Sequence, residues 1–389
     1  MNRRDLLHAG VASAALLPTR NVLGANDRIH VALIGAGGRG RSITRWVKEI
    51  PDAEVVAVSD LYTPRRDQAV EQFGKPCKAV KHYKQILDDK SIDGVMIGAP
   101  DHWHVPLVLE AIAAGKDVYC EKPITQNIAE GEKLIAGVEA ASQVVQTGTQ
   151  QRSWDHYIHA KDVIQSGALG QITFVECYWY QNYRVSQKVE KFDTSKLDWD
   201  LWLGTRKKQP FDPMKYRRWR FFWDFGGGIF TDLLTHWIDT IQWIMDSPTP
   251  HTVQATGTTH FQDWVETPDT VVGTMIYPKN FTVMYHSSMI GSLEGGGIVF
   301  RGDKAMLKLT RDGFALYPEG TIKQELTHLP EARIEVRRSG DGTKSNVANW
   351  LDCMRSRKQP NSYVRAGVEA ANTSHLCNLA MLEKRIVTV

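Results

Sequence analysis

The chain has 389 residues, 42% of them apolar, and its 47 lysines and arginines nearly balance 44 acidic residues, leaving a formal charge of +3. That length is enough for two domains with sizeable cores, and so small a net charge gives no reason to expect nucleic acid or an anionic membrane as partner. Cys77, Cys120, Cys177, Cys353 and Cys377 are odd in number and lack C-x-x-C spacing, so they read as buried small residues rather than a disulfide framework.

The first 25 residues differ from the rest. Arg3 and Arg4 form a twin-arginine pair, the apolar run Ala9–Leu17 follows, and small residues end at Ala25. This is the plan of a twin-arginine export signal, positive region first and small-residue cleavage site last. The apolar run is well short of the ~20 residues that span a bilayer, and no other segment approaches that length, so membrane insertion is not expected. Without a cysteine at the cleavage site, neither is a lipid anchor. The expected location is periplasmic or otherwise exported, reached in the folded state.

Ile29–Gly40, IHVALIGAGGRG, runs from β-forming residues into G-x-G-x-x-G at Gly35, Gly37 and Gly40, with helix-competent residues from Arg41 to Glu49. A second strand, Glu54–Ser59, ends in Asp60. Strand, glycine loop, helix, strand and acidic residue are the ordered parts of a dinucleotide site. Gly35 permits the turn, Gly37 lets backbone approach a pyrophosphate, and Gly40 lets the helix pack close to the strand. Gly38 and Arg39 lie within the loop. Asp60 is placed for the adenosine ribose and favours NAD over NADP, because a carboxylate repels a 2′-phosphate. Arg65 and Arg66 follow closely, which leaves NADP possible.

Up to about residue 150, strands alternate with helices. The predicted helices cover Arg65–Phe73, Tyr83–Leu87, Val105–Ala114 and Ala129–Ala141, and the further strands cover Gly94–Ala99, Asp117–Cys120 and Gln143–Thr147. Such alternation implies a parallel sheet with ligands outside the carboxyl ends of its strands. Pro100, Asp101–His104 and Glu121-Lys122-Pro123 fall at those ends, and Pro100, His104, Glu121 and Lys122 join the expected cofactor contacts. From Gln171 the pattern changes. Gln171–Tyr180, His251–His260, Thr270–Tyr277, Phe281–Met289, Gly297–Arg301 and Ala305–Leu309 read as strands of a mostly antiparallel sheet. The aromatic and basic stretch Asn182–Phe222 is too long for an ordinary connection and suggests a functional loop. Helices are predicted at Thr231–Met245, after Gly226-Gly227-Gly228, and near Asn346–Arg355 and Ala366–Arg385. The expected division is a signal at 1–25, a Rossmann domain at 26–149 and a second α/β domain at 150–389.

Asp232 and His236 stand four apart on a predicted helix and so share one face. A carboxylate beside an imidazole fixes its tautomer and raises its basicity, which suits a general base for a carbinol O–H. Asp239, three residues further on, is either on that face or a structural acceptor. Lys122, next to a cofactor, can steady an oxygen whose charge changes as hydride moves. Arg152, Trp154, Arg217, Trp219 and Arg220 are candidates for a polyol pocket, aromatic faces for C–H surfaces and arginines for hydroxyls or a carboxylate. No cluster at ligand spacing completes a four-ligand site, so no metal is expected.

Gly35–Gly40, Ala99–His104, Glu121-Lys122-Pro123 and Gly226–Asp239 (GGGIFTDLLTHWID) together resemble the Gfo/Idh/MocA family, relatives of glucose–fructose oxidoreductase and inositol dehydrogenase. Gln146–Ser153 and Leu197–Gly204 look like its exported branch. The resemblance implies a Rossmann domain followed by an α/β domain whose open sheet mediates homo-oligomerisation, and it implies that Lys122, Asp232 and His236 act at the nicotinamide. The expectation is an exported NAD-dependent oxidoreductase acting on a ring carbinol of a sugar, glycoside or cyclitol. Free NAD is not expected outside the cytoplasm, so the cofactor should stay bound and be reset in place. The alternatives are a redox-neutral enzyme that cleaves or epimerises a glycoside through a keto sugar, and a non-catalytic, nucleotide-holding sugar binder.

Overall fold

Six short strands, Ile29–Ile34 (β1), Ala53–Ser59 (β2), Lys78–Val80 (β3), Gly94–Ile97 (β4), Asp117–Cys120 (β5) and Val145–Thr147 (β6), pair in parallel in the order β3-β2-β1-β4-β5-β6. This is the doubly wound dinucleotide order, with its crevice where the order reverses, between β1 and β4. The computed structural model describes residues 28–183, 192–261, 263–319 and 332–389, so the signal expected at 1–25 lies outside the described residues. Residues in β4 and β5 are buried throughout, which is why Val95–Ile97 and Val118–Cys120 read as unbroken apolar runs. The edge strand β3 was not predicted. Its three residues are exposed or half-buried and carry no apolar alternation.

The predicted helices of this half form with shifted ends, at Thr63–Phe73, Lys84–Asp88, His104–Ala113 and Ala129–Glu139. Behind the glycine loop, α-helix covers only Gly38–Thr44 and tightens to a 3₁₀ helix over Arg45–Glu49.

The second sheet has nine strands: Ile172–Tyr180 (β7), Thr252–Thr258 (β8), Thr270–Tyr277 (β9), Phe281–Ser288 (β10), Gly296–Gly302 (β11), Ala305–Thr310 (β12), Gly313–Pro318 (β13), Ile334–Arg337 (β14) and Val387–Thr388 (β15). Their order is β14-β13-β12-β11-β7-β10-β9-β8-β15. Every pairing is antiparallel except β7 with β10, which sets Phe174 opposite Thr282. Six of these strands were expected, whereas β13, β14 and β15 were not. Strand β10 shows the alternation that made the others legible, with Phe281, Val283 and Tyr285 buried and the residues between them half-buried. Helices Thr235–Met245 and Val364–Glu383 supply Trp237, Ile238, Ile241 and Cys377 to the core formed with this sheet.

Helix Gly342–Ser356 starts at Asp341, whose side chain accepts from Thr343 N at 2.7 Å and Lys344 N at 3.3 Å, a carboxylate N-cap. It returns to the first sheet. Val347, Trp350 and Leu351, all fully buried, share a core with Val31, Leu33, Met96 and Tyr119. Trimming a buried tryptophan such as Trp350 to alanine costs about 3–5 kcal/mol, so this helix is a structural part of the nucleotide-binding half.

Candidate active site

The glycine loop has no room for side chains where it meets the sheet. Gly35 has φ +91°, and a Cβ there would lie 2.6 Å from the amide nitrogen of Ala99; a Cβ on Gly40 would lie 2.1 Å from the carbonyl oxygen of Gly35. The loop therefore lies directly on the end of β4, and its own backbone forms the floor of a cleft of about 320 Å³. Asp60 closes the loop from the side, its carboxylate accepting from Ala36 N at 2.8 Å and Tyr62 N at 2.9 Å. Gly35, Gly37, Gly38, Arg39, Asp60 and Pro100 all line this cleft, as does Arg65. Arg66 does not; it donates to the Asp60 carbonyl and to Thr63. A backbone floor at the switch point, with an acidic residue at its rim, fits a dinucleotide.

Part of the long insertion roofs the cleft. Leu201, Trp202, Tyr216, Arg217, Trp219 and Arg220 line its far side. Short helices at Trp199–Leu203 and Pro213–Arg217 carry most of them, each capped by an aspartate, Asp198 and Asp212. The roof is fastened at the Trp202 carbonyl, which lies 2.9 Å from His102 Nε2 and accepts from Trp103 Nε1 at 2.8 Å. Trp199, Trp202 and Phe225 pack ring against ring beneath it. Residues 184–191 of the insertion lie outside the described residues.

His104 does not reach the cleft, contrary to expectation. It is buried, with Nδ1 2.6 Å from the Pro123 carbonyl and Nε2 2.9 Å from the Ala99 carbonyl. Burial lowers its pKa although both carbonyls pull the other way. It ties the end of β4 to the loop after β5.

That loop carries the chemistry. A second cavity, of about 420 Å³, adjoins the first and shares Arg39, Arg217 and Arg220 with it. Glu121, buried, holds Arg39 at 2.8 and 2.9 Å. Lys122 Nζ donates to Asp232 Oδ1 at 2.8 Å and to the Asp232 carbonyl, and Arg220 Nε donates to the same Oδ1 at 3.1 Å. Burial alone would raise the Asp232 carboxyl; Lys122 first and Arg220 second outweigh it and hold the pKa at about 2. Asp232 is thus a fixed anion that keeps two cations in place.

His236 also lines this cavity. The expected contact between its imidazole and the Asp232 carboxylate is not formed. A π-helical turn covers Phe230–Leu234 before the regular helix Thr235–Met245 begins. The wider turn removes the α-helical register in which residues four apart share a face, and Asp232 goes to Lys122 instead. His236 Nδ1 is buried with no partner among the described residues, and its ring stacks on Trp179 with centroids 5.7 Å apart. Burial, then Lys122 and Arg311, push its pKa well below 6.5, so the ring is neutral at neutral pH.

Of the pocket candidates, Arg217 and Arg220 line both cavities and Trp219 lines the cofactor cleft. Arg152 and Trp154 line neither. Arg152 is buried, gripping fully buried Asp239 through Nε at 2.9 and 3.0 Å. Trp154 is buried against His156, Tyr157 and Gly342. Asp239 is therefore a structural acceptor. Gln150, Trp179, Gln181, Tyr183, Arg218 and Arg311 line the second cavity without having been singled out. Arg311 sits in the turn between β12 and β13, where no local pattern marks it. All five cysteines are buried and free. No described helix is long and apolar enough to cross a membrane.

Comparison with known proteins gives the same two-part picture. Residues 29–149 match the model described as "Oxidoreductase family, NAD-binding Rossmann fold", and residues 157–308 match the "GFO/IDH/MocA C-terminal domain". The inositol 2-dehydrogenase of Rubrobacter xylanophilus is 32% identical over 149 residues, covering 38% of this chain and 42% of that protein. That of Salmonella typhimurium is 27% identical over 182 residues, covering 45% and 54%. The matched stretch spans about half the length of these curated relatives. Among solved structures, a levoglucosan dehydrogenase in complex with NADH and levoglucosan aligns over 93% of this chain and 99% of its own, with TM-score 0.75 and 16% identity. An aldose-aldose oxidoreductase from Caulobacter crescentus aligns over 93% and 100%, with TM-score 0.72 and 20% identity. At such identities these two speak to the fold.

Proposed function

The chain belongs to the Gfo/Idh/MocA oxidoreductases, with an NAD-binding Rossmann fold, and from that membership we propose that it is an exported enzyme exchanging a hydride between NAD and a ring carbinol of a sugar, glycoside or cyclitol. The observation that carries this reading is the Lys122–Asp232–Arg220 cluster beside a neutral His236, in a cavity that opens from the cofactor cleft. The names of the relatives, inositol and levoglucosan dehydrogenases, agree with a cyclic polyol.

Bound NAD supplies a hydride acceptor at its nicotinamide ring. Lys122, oriented by Asp232, donates to the carbinol oxygen and stabilises the charge that develops there. His236, neutral and lining the same cavity, exchanges the hydroxyl proton. Asp232 acts on Lys122 rather than on the imidazole. Glu121 and Arg39 fix the wall between the two cavities.

The Arg3–Arg4 signal motivates export, and the roof over the cleft supports a cofactor held from turn to turn. Val272 and Ile276, exposed on one face of β9, support self-association through the second sheet. The deciding experiment is to purify the processed protein, assay it for co-purifying nucleotide, and expose it to a panel of cyclitols, free sugars and glycosides while following reduced-nicotinamide absorbance. Substrates change that absorbance without added cofactor. An empty protein, turning over only in proportion to added NAD, refutes the retained cofactor; silence across the whole panel refutes the oxidoreductase.

A further inference from the structure

The second cavity is far more basic than a neutral polyol requires. Its walls carry six cationic side chains, Arg39, Lys122, Arg217, Arg218, Arg220 and Arg311, against two carboxylates, Glu121 and Asp232. Glu121 is taken by Arg39, and Asp232 by Lys122 and Arg220. Among the described residues no carboxylate stands within ion-pair distance of Arg217, Arg218 or Arg311. Arg217 also faces the cofactor cleft. Arg218 is exposed to solvent. Arg311 has neither outlet, because it lines the second cavity alone; its Nε, like that of Arg217, is buried without a hydrogen-bond partner among the described residues.

Arg311 also packs on aromatic rings. Its guanidinium carbon lies 4.6 Å from the Trp179 ring centre and 5.8 Å from that of Trp237, within cation–π range. Trp179 also stacks on the His236 ring, with centroids 5.7 Å apart. Cation and imidazole thus both pack on one indole and line the same cavity. Keeping a guanidinium poorly solvated and unpaired is costly, and an anionic ligand removes that cost. Burial accordingly lowers the Arg311 pKa.

We propose that the substrate is a sugar acid, a uronic or aldonic acid or a cyclitol bearing a carboxylate, and that Arg311 receives the carboxylate as a planar, bidentate partner. This rests on the oxidoreductase reading above and narrows its substrate class.

The test uses the full processed protein loaded with NAD. A panel of hexuronates and their uncharged methyl esters is titrated against it, with the corresponding sugar phosphates as a third arm, and binding is read from tryptophan fluorescence and calorimetry. The best acid should bind roughly 10- to 100-fold more tightly than its ester. R311Q should abolish that advantage while nucleotide content and thermal unfolding stay as in the parent, and R311K should restore part of it. Equal binding of acid and ester, an advantage that survives R311Q, or tighter binding of a sugar phosphate each overturns the proposal. Turnover separates the two readings. An acid that binds through Arg311 but never reduces the cofactor refutes the oxidoreductase and leaves the carboxylate site standing; equal turnover of acids and esters does the reverse.

Discussion

Replacing Asp232 by asparagine removes one negative charge and little volume from the centre of the cationic cluster. Its size makes the outcome calculable. The carboxyl is held at about 2 instead of the ordinary 3.8, against burial, by Lys122 and then Arg220. At ~1.4 kcal/mol for each tenfold change in ionisation, the charged form contributes ~2.5 kcal/mol to the folded state. The Asp232 side chain is 15% exposed and that of Lys122 11%, so solvent screening removes little of this. Because the folded pKa is depressed, the contribution is complete above the unfolded value near 3.8 and is lost as pH falls through it toward 2. Denaturant unfolding of parent and D232N, followed by fluorescence from neutral pH down to about pH 4, should give a gap of ~2–4 kcal/mol that is flat until about pH 5 and then narrows. The upper end reflects the largely buried Lys122 ammonium left without its carboxylate. A gap below ~0.5 kcal/mol at neutral pH, or one that closes well above pH 5, would show that Asp232 does not anchor Lys122 and Arg220 as described.

Three further outcomes follow from the site. Lys122→Met should lower kcat by about 10²–10³ with bound nucleotide retained; loss of nucleotide together with activity would make the lysine a cofactor ligand and no more. Because the His236 pKa lies well below 6.5, the acid limb of kcat/KM should fall below that value, and His236→Gln should remove the limb and ~10²-fold or more of the rate; a limb at or above 6.5 in the parent would assign the base elsewhere. Gly40→Ala puts a methyl 2.1 Å from the Gly35 carbonyl, so the variant should emerge without nucleotide while far-ultraviolet circular dichroism stays that of the parent. Full retention of nucleotide would mean the loop relaxes freely.

What could be read from the sequence was what local pattern encodes. The glycine loop, the alternation of strands and helices, and the strand ends at Pro100 and Glu121 are all set by neighbours in sequence. The long alternating strands of the second sheet were legible for the same reason, while β3, β14 and β15, of two to four residues, are too short to carry a period. The site was half legible. Lys122, Asp232 and His236 do line one cavity, but the π turn redirected Asp232, and helix periodicity cannot foresee a turn of different width. Arg152 was misplaced because its partner, Asp239, is 87 residues away and fully buried; an arginine in sequence looks the same whether it faces a ligand or a carboxylate in the core. Arg311 was missed because only the strand order brings the β12–β13 turn to the mouth of a cavity begun at β5.

Helix Gly342–Ser356 has a consequence in time. A chain emerging from the ribosome completes all six parallel strands by Thr147, yet the core that joins Val31, Leu33, Met96 and Tyr119 to Ile43, Val47 and Phe73 is finished only by Val347, Trp350 and Leu351. Through the synthesis of about 200 residues, the part of the nascent sheet that this helix will cover is therefore an adhesive apolar surface. A chain stopped short of Trp350 should be captured by chaperones or precipitate rather than persist as a free nucleotide-binding domain.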